Sequence, residues 1–244
     1  MVTGAASGIG KATAELFAQH GAKLMLADID TEGGEALAAT LQSPGNEVVF
    51  RRVDVSRPEE CQAMVEAVIA SYGQLDIGFN NAGIIGELRP LAEQSPENWR
   101  KLMGVNLDSV FYCMKYEIEY MVQNGGGAIV NTSSVCGAVA TPGCSPYVAS
   151  KHAVAGLTKT AAIEYAPCGI RINAVGPGVI QTPLITRDCA AQASEGEAAL
   201  VAMTPLGRIG QPREVAELVL WLSSNRASFA TGGYYPIDGG YLAQ

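Results

Sequence analysis

Short apolar runs alternate with longer amphipathic stretches along the whole chain, and this alternation constrains the fold more than any other feature of the sequence. The runs are continuous rather than alternating in polarity, which is typical of strands buried on both faces of a parallel sheet. They lie at residues 23–27, 47–50, 75–79, 128–131 and 170–175. The stretches between them predict helices at 11–20, 32–42, 58–71 and 96–123. Ser56, shortly before Pro58-Glu59-Glu60, is the expected N-cap of the third helix. Such alternation predicts an α/β fold, a doubly wound parallel sheet flanked by helices.

The length of 244 residues suits one large α/β domain, and no linker rich in Ser, Gly or Pro divides it. We therefore predict a single domain spanning residues 1–244. A net charge of −8 without a basic cluster argues against nucleic-acid or anionic-membrane binding. No apolar run approaches the roughly 18 residues of a membrane span. The N-terminus lacks a basic region followed by an apolar one, so we expect a cytoplasmic protein.

The cysteines and histidines give no metal-binding pattern. The six cysteines are scattered without a C-x-x-C pair, and the two histidines, His20 and His152, are far apart. Ligands of structural zinc normally occur in closely spaced pairs. We predict no metal site and expect free thiols.

Polar or glycine-containing segments follow the predicted strands directly. Asp28, Asp54, Asn81, Ser134 and Pro177 all lie just after an apolar run. In a doubly wound sheet, ligands bind beyond the carboxyl ends of the strands. These residues should therefore line one crevice, although they span most of the sequence.

A glycine-rich turn opens the first predicted helix, in the segment from Thr3 to Gly10. Glycines let the backbone approach a pyrophosphate, and a helix N-terminus stabilises its charge. An ordinary tight turn between strand and helix is the alternative. Asp28 favours the first interpretation, because it follows Gly10 by 18 residues, close to the ~20 expected of a carboxylate that binds the ribose diol.

The same carboxylate bears on which coenzyme is used. Asp28 would repel a 2′-phosphate, Asp30 adds negative charge nearby, and no arginine follows Asp28. Ser7 occupies a position where a basic residue could have bound that phosphate. We therefore predict NAD rather than NADP. Lys11 is the one nearby cation that opposes this prediction.

Tyr147 and Lys151 are four residues apart and share a face of a predicted helix. Nine tyrosines and six lysines would give about 0.2 such pairs by chance, so the pair alone is weak evidence. Ser134 lies thirteen residues before Tyr147 at the end of a predicted strand, and this strengthens the evidence for a catalytic pair. An ammonium group at ~4.5 Å supplies ~3.7 kcal/mol at an effective dielectric constant of ~20, close to the ~4 kcal/mol needed to lower a phenol pKa by about 3 units.

Six ordered motifs identify a resemblance to a known family. They are Thr-Gly-x-x-x-Gly-x-Gly at residues 3–10, Asn-Asn-Ala-Gly at 80–83, the Asn of Val-Asn-Leu at 106, Ser-Ser-x-x-Gly at 133–137, Tyr-x-x-x-Lys at 147–151 and Pro-Gly-x-x-x-Thr at 177–182. Asp-Gly-Gly at 238–240 matches as well. The chain resembles the short-chain dehydrogenase/reductase family, in its short single-domain branch. The resemblance implies a Rossmann-type sheet and an NAD-dependent oxidoreductase acting on CH–OH groups.

The resemblance also implies roles for individual residues. Tyr147 would be the general acid/base, Ser134 would hydrogen-bond the reacting oxygen, Lys151 would lower the Tyr147 pKa, and Asn106 would anchor a water that passes the proton on. A helix-capping or packing asparagine is the alternative for Asn106. The implied coenzyme-binding residues are Gly4, Ser7, Gly8, Ile9, Gly10, Asp28, Ile29, Asp54, Val55, Asn81, Ala82, Gly83, Tyr147, Lys151, Pro177, Gly178, Ile180 and Thr182.

One feature departs from the family pattern. The glycine-rich turn should follow a full strand, yet only Met1 and Val2 precede Thr3, and strands usually have about 5–6 residues. Either native residues precede Met1 or this central strand is short.

Substrate specificity should lie near 84–89, around 135–144 and in a lid at approximately 183–205. A set of small and apolar residues predicts a pocket for a neutral, apolar and possibly cyclic secondary alcohol or ketone: Val135, Cys136, Ala138, Val139, Cys144, Val179 and Leu184. Packing in the core is the alternative for each of them. Arg187 could bind an anion, although a solvated loop arginine is the expected role. The residues themselves do not identify the physiological substrate.

The resemblance further implies a homotetramer, formed through helices near 98–123 and 147–165. An apolar C-terminal end that includes Tyr234, Tyr235, Tyr241 and Leu242 fits a second interface. Burial within the monomer is the alternative for the residues of both interfaces. The alternative activity is that of an NADPH-dependent 3-oxoacyl-carrier-protein reductase, which Asp28 and the lack of a basic docking patch disfavour.

Overall fold

A computed structural model describes residues 1–188 and 193–244, with the side chains of 186–188 and 193–197 left out. Cys189 and the Arg187 side chain lie outside the described part, as does a portion of the expected lid at 183–205. None of the helices among the described residues is both long and apolar enough to cross a membrane. Within the same residues, no group of three or more His, Cys, Asp or Glu side chains could hold a metal ion.

Seven parallel strands form one sheet in the order β3-β2-β1-β4-β5-β6-β7. Their bounds are β1 Val2–Thr3, β2 Leu24–Asp28, β3 Val48–Arg52, β4 Ile77–Asn80, β5 Gly127–Thr132, β6 Ile170–Pro177 and β7 Tyr234–Ile237. The doubly wound sheet predicted from the apolar runs is confirmed. The strand order reverses between β1 and β4, where open α/β sheets bind their ligands.

The first strand is short and still pairs on both sides. Val2 is in register with Leu26 of β2 and with Phe79 of β4. Val2 is fully buried, which places it at the centre of the sheet.

Nine helices lie among the described residues, and they cover both faces of the sheet. Their bounds are α1 Gly8–Gln19, α2 Thr31–Leu41, α3 Pro58–Tyr72, α4 Pro96–Met103, α5 Ser109–Met121, α6 Ser145–Tyr165, α7 Pro183–Asp188, α8 Ala193–Ala202 and α9 Pro212–Ser223. The helix expected at 96–123 is divided by a π-helical turn at Gly104–Asp108, between α4 and α5.

The start of α3 corrects one expectation. The sequence pattern places the N-cap of this helix at Ser56, whereas the N-cap is Arg57, which makes no side-chain capping bond. The Ser56 hydroxyl donates to Asp54 Oδ1 at 2.6 Å instead. A strong acceptor two residues away competes successfully for this hydroxyl.

Two apolar clusters pack on opposite faces of the sheet. One joins α3, α5 and α6 to the sheet and includes Met64, Met114 and Ile129. The other joins α1 and α9 to the sheet and includes Phe17 and Leu222. Because both faces are covered by apolar side chains, the carboxyl edge of the sheet is left as the place for a polar site.

Candidate active site

One cavity of about 590 Å³ opens at the carboxyl edge of the sheet and brings together residues from most of the sequence. Of the residues that the sequence predicts for the site, all but Gly10 and Asn106 line this cavity. The lining members are Gly4, Ser7, Gly8, Ile9, Asp28, Ile29, Asp54, Val55, Asn81, Ala82, Gly83, Ser134, Tyr147, Lys151, Pro177, Gly178, Ile180 and Thr182.

The glycine-rich turn meets the cavity at the N-terminus of α1. The N-cap residue Ser7 makes no side-chain capping bond, so its hydroxyl does not satisfy the helix donors. Gly8 has φ of +54°, a conformation that favours glycine. Gly10 lies beneath the turn, where an added Cβ would come within 2.0 Å of the Gly4 carbonyl oxygen. Gly10 therefore shapes the turn without lining the cavity.

The Asp28 carboxylate is fixed by backbone donors at the end of β2. Oδ2 accepts from Ala6 N at 2.9 Å, and Oδ1 accepts from Asp30 N at 3.0 Å. These bonds join the carboxylate to the glycine-rich turn and orient it toward the cavity. The Asp30 side chain is engaged separately, since its Oδ1 accepts from Gly33 N and caps α2.

Asp54 lies at the end of the next strand outward and is held by Ser56. The hydrogen bond from the Ser56 hydroxyl is the main cause that lowers the Asp54 pKa, so this carboxyl is ionised at neutral pH. Its own backbone N–H donates to Glu60 Oε2 at 2.7 Å. Val55 is buried beside it and also lines the cavity.

A network of hydrogen bonds joins β1 to the segment after β4. The Thr3 hydroxyl accepts from the backbone N–H groups of Asn81 and Ala82, at 2.9 and 3.1 Å. The Asn81 amide group donates back to Thr3 O at 3.1 Å, and its Oδ1 accepts from the Thr132 hydroxyl at 3.3 Å. The side chain of Asn81 therefore holds three strand ends together.

Ser134, Tyr147 and Lys151 meet beside the end of β5. Lys151 is buried, and its Nζ donates to Thr132 O at 2.9 Å. The same Nζ lies 5.6 Å from the centre of the Tyr147 ring. Ser134 follows β5, and its Oγ accepts from Cys136 N at 3.2 Å. The i, i+4 spacing on α6 places the tyrosine and lysine on one face, as the sequence predicts.

Burial has the largest effect on the ionisation of Tyr147 and Lys151 in the coenzyme-free protein. Burial raises the pKa of Tyr147 above its usual value, while a hydrogen bond with the Ser134 side chain lowers it. Burial also lowers the pKa of Lys151 to about 8. In the coenzyme-free protein, desolvation of the phenolate outweighs the hydrogen bond that lowers the Tyr147 pKa. A lower Tyr147 pKa caused by Lys151 together with the positive nicotinamide ring stays a prediction.

Asn106 lies within the π-helical turn and is fully buried. Its Oδ1 accepts from Ile84 N, and its amide group donates to Ile84 O, each at 2.8 Å. Gly83 is adjacent, since an added Cβ there would lie 3.4 Å from Asn106 Oδ1 and 3.5 Å from Lys151 Nζ. The side chain thus fixes the segment after β4 close to Lys151 rather than lining the cavity.

The segment after β6 forms the remaining wall. Gly178 N donates to Ile237 O at 3.0 Å, and Ile180 forms an isolated parallel bridge with Gly210. Ile180 and Thr182 are both buried. These contacts fix the residues from Pro177 to Thr182 along the cavity. Thr182 lies beside the N-terminus of α1, where an added Cβ on Gly8 would be 3.1 Å from Thr182 Cγ2.

The apolar part of the cavity agrees partly with the expected set. Val135, Cys136, Cys144, Val179 and Leu184 line it, whereas Ala138 and Val139 do not. Val139 is 37% exposed on the surface.

The sequence analysis did not predict five residues that line the cavity: Val53, Lys101, Val105, Thr132 and Tyr241. Leu200 and Met203, which also line it, fall within the expected lid at 183–205. Tyr241 follows Asp238, whose Oδ1 and Oδ2 accept from Gly240 N and Leu242 N and so hold the C-terminal turn. The Asp-Gly-Gly motif was the available signal for this turn.

Comparison with known proteins gives consistent matches over the whole chain. A model of the short-chain dehydrogenase/reductases, described as "Enoyl-(Acyl carrier protein) reductase", matches residues 4–242. Cyclohexanol dehydrogenase of Acinetobacter sp. (strain SE19) is 46% identical over 244 residues, which cover 100% of this chain and 94% of that enzyme. A 2,5-dichloro-2,5-cyclohexadiene-1,4-diol dehydrogenase of Sphingobium indicum is 43% identical, with 100% and 96% covered.

Solved structures give the same result. The crystal structure of levodione reductase superposes with a TM-score of 0.95 at 38% identity, covering 99% of this chain and 96% of that one.

Proposed function

Because this chain belongs to the short-chain dehydrogenase/reductase family, we propose that it transfers a hydride between a neutral cyclic secondary alcohol, or its ketone, and NAD. High identity to named dehydrogenases over the whole chain supports an alcohol dehydrogenase that uses a nicotinamide coenzyme. The use of NAD and of Tyr147 as acid/base is proposed on one observation. Ser134, Tyr147 and Lys151 converge in the cavity that is also lined by Asp28.

The residues present fit a nicotinamide dinucleotide. The N-terminus of α1, without a side-chain cap, suits the pyrophosphate. Asp28 would accept hydrogen bonds from the adenosine ribose, Asp54 and Val55 would flank the adenine, and Ile180 with Thr182 would hold the carboxamide. When bound in its oxidised form, the coenzyme accepts the hydride and adds a positive charge to the site.

The preference for NAD rests on charge around Asp28. Its fixed carboxylate would repel a 2′-phosphate. Lys11, the cation that opposes the NAD prediction, has its Nζ 4.0 Å from Glu15 Oε1. Arg52 is in register with Asp28 on β3, and its guanidinium lies 3.4 Å from Glu60. Carboxylates on the same protein therefore already attract both cations.

Tyr147 would act as the acid/base. In alcohol oxidation its phenolate would take the substrate hydroxyl proton, while the Ser134 hydroxyl donates to the same substrate oxygen. Burial raises the pKa of Tyr147 in the free protein, so its ionisation depends on further positive charge when the site is loaded. Lys151 would supply part of that charge. The relay water expected at Asn106 stays a prediction, and the Asn106 side chain would act by holding Ile84.

The substrate class rests on the lining of the cavity. Val135, Cys136, Cys144 and Leu184 present apolar or weakly polar surface beside Tyr147. Relatives are named for activity on six-membered carbocyclic alcohols, which supports a compact cyclic substrate. We propose that residues 183–205 cover this end as a lid.

The assembly is proposed to be a homotetramer. Phe111 on α5 is 49% exposed and Ile163 on α6 is 78% exposed. Apolar side chains of this size on adjacent helices suit burial against a second copy of the chain.

Initial rates with NAD and NADP on cyclic alcohols, aliphatic alcohols and 3-oxoacyl thioesters would test the proposal. Faster oxidation of cyclohexanol with NAD is expected. The family description names an acyl-carrier-protein substrate, so 3-oxoacyl reduction with NADPH is the result to compare. A clear preference for that reaction would replace the proposed function.

A further inference from the structure

The Ser134 backbone carbonyl is held by two donors from different parts of the chain. Gly137 N donates to it at 2.7 Å within the turn that follows β5. The Tyr234 hydroxyl, from β7, donates to the same oxygen. Tyr234 is separated from Ser134 by 100 residues. The second bond therefore ties the far edge of the sheet to the acid/base site.

The path of the Tyr234 side chain depends on Gly176 in the intervening strand β6. An added Cβ at Gly176 would lie 2.4 Å from the Tyr234 hydroxyl oxygen. A residue with any side chain at that position would therefore displace the phenol. Lack of a side chain on β6 lets the Tyr234 ring cross that strand and reach the segment after β5.

The Tyr234 hydroxyl remains a donor under ordinary conditions. Burial, with a smaller contribution from the Asp238 charge, raises its pKa to about 12. The phenol is therefore neutral at the pH of any enzyme assay. The Tyr234 hydroxyl is directed inward to Ser134, which agrees with burial within the monomer rather than with an interface role for this hydroxyl.

We propose that Tyr234 is a positioning residue for the acid/base site. It holds the Ser134 carbonyl so that the Ser134 hydroxyl hydrogen-bonds Tyr147 in the substrate-free enzyme and is placed to donate to the substrate oxygen when substrate binds. This inference rests on the proposed roles of Ser134 and Tyr147. Tyr234 acts through the backbone of Ser134 and does not touch the reacting atoms. Since the Ser134 hydrogen bond lowers the Tyr147 pKa, loss of the Tyr234 hydroxyl should raise that pKa.

Tyr234→Phe removes the hydroxyl and keeps the ring. We expect kcat for alcohol oxidation to fall about tenfold and KM for NAD to stay unchanged. In the pH profile of kcat/KM for the alcohol, the acid limb should move to higher pH. Tyr235→Phe is the matched control, because Tyr235 packs against Trp221 and should leave kcat and the profile unchanged. Equal effects of the two substitutions would overturn the proposal.

A double-mutant cycle separates positioning from general loosening of the fold. In a Ser134→Ala background, Tyr234→Phe should change kcat less than twofold, because the hydroxyl that Tyr234 positions is already absent. A further loss of about tenfold in that background would show that Tyr234 acts elsewhere.

A measurement on the coenzyme-free protein keeps this test independent of the proposed function. Amide hydrogen exchange in residues 132–140 should be faster in Tyr234→Phe than in the wild type and unchanged in Tyr235→Phe. Unchanged exchange in Tyr234→Phe would overturn the proposal. If this exchange difference appeared but the wild type oxidised no alcohol, the positioning of the Ser134 segment by Tyr234 would be supported and the proposed function would be wrong.

Discussion

The Lys151 ammonium group donates to the Thr132 carbonyl oxygen at 2.9 Å, so a buried cation is fixed to the end of β5. The Lys151 carbonyl oxygen in turn accepts from the Ser133 hydroxyl at 2.8 Å. One residue of α6 therefore makes two bonds to the segment that carries Ser134. This arrangement sets the distance between the tyrosine helix and the serine turn.

Lys151→Met should stabilise the coenzyme-free protein below pH 8 while abolishing dehydrogenase activity. Burial lowers the Lys151 pKa from 10.5 to about 8, which costs about 3 kcal/mol when the lysine is charged. Loss of the bond to Thr132 offsets part of that gain, so we expect a net gain of about 1–2 kcal/mol. Denaturant unfolding at pH 7 would measure it.

The pH dependence of this effect has a defined sign. The unfolded lysine binds its proton more tightly than the folded one, so the cost is fully present below pH 8 and is relieved between pH 8 and 10.5. The stability difference between Lys151→Met and wild type should shrink across that window. Lys159→Met, on the exposed face of the same helix, should show no such trend. A constant difference at all pH values would contradict the buried-cation account.

Asp28→Asn should weaken NAD use and reduce discrimination against NADP. Asn keeps the side-chain volume and loses the charge and one acceptor oxygen. Loss of charge-assisted hydrogen bonds predicts an increase of about tenfold or more in KM for NAD. Steady-state kinetics with both coenzymes would measure the change.

Asp30→Asn is the control for nearby charge, because Asn also caps helices well. It should change KM for NAD only slightly. If Asp30→Asn and Asp28→Asn had equal effects, general negative charge rather than ribose contact would set the preference.

Glu117→Gln should stabilise the protein at pH 8. Glu117 is fully buried on α5, and burial raises its pKa to about 7. The raised value means that the folded state binds the proton more tightly, so stability falls between pH 4.5 and 7 and the cost persists above pH 7. The cost is about 3 kcal/mol, and we expect Gln to recover about half.

Thermal or urea unfolding at pH 5 and pH 8 would test this prediction. The stabilising effect of Glu117→Gln should be smaller at pH 5. Glu119→Gln, exposed on the same helix and paired with Lys115, should be neutral or slightly destabilising at both values. Equal effects of the two substitutions at pH 8 would argue against a buried carboxylate cost.

Phe111→Lys should dissociate the proposed assembly. A charge placed between two helices at an interface between copies is desolvated without a partner. Light scattering should find a tetramer for the wild type and a smaller species for the variant. Leu91→Lys, exposed by 73% outside α5 and α6, should leave the mass unchanged. A wild-type monomer would contradict the proposal.

The sequence predicted the sheet and most of the cavity because the signals are local. Site residues such as Asp28 and Asn81 directly follow a strand in the sequence, so their motifs can be recognised locally. The parallel topology then brings these strand ends to one edge of the sheet. The π-helical turn at Gly104–Asp108 was not predicted, because one extra residue in a turn hardly alters helical periodicity.

Contacts between residues far apart in the sequence could not be predicted from local patterns. Nothing near Tyr234 indicates that its hydroxyl contacts Ser134, since that bond depends on Gly176 in another strand. Tyr241 is likewise carried to the cavity by the C-terminal turn. The raised Tyr147 pKa was missed because desolvation depends on the packing around the phenol.

The central claim is that Tyr147 is the acid/base of a cyclic-alcohol dehydrogenase. The most direct test compares cyclohexanol oxidation with saturating NAD by wild type and Tyr147→Phe, with NAD affinity measured separately by calorimetry. We predict a loss in kcat of about 10³-fold, with NAD affinity changed less than about threefold. Near-normal turnover by Tyr147→Phe would contradict the account.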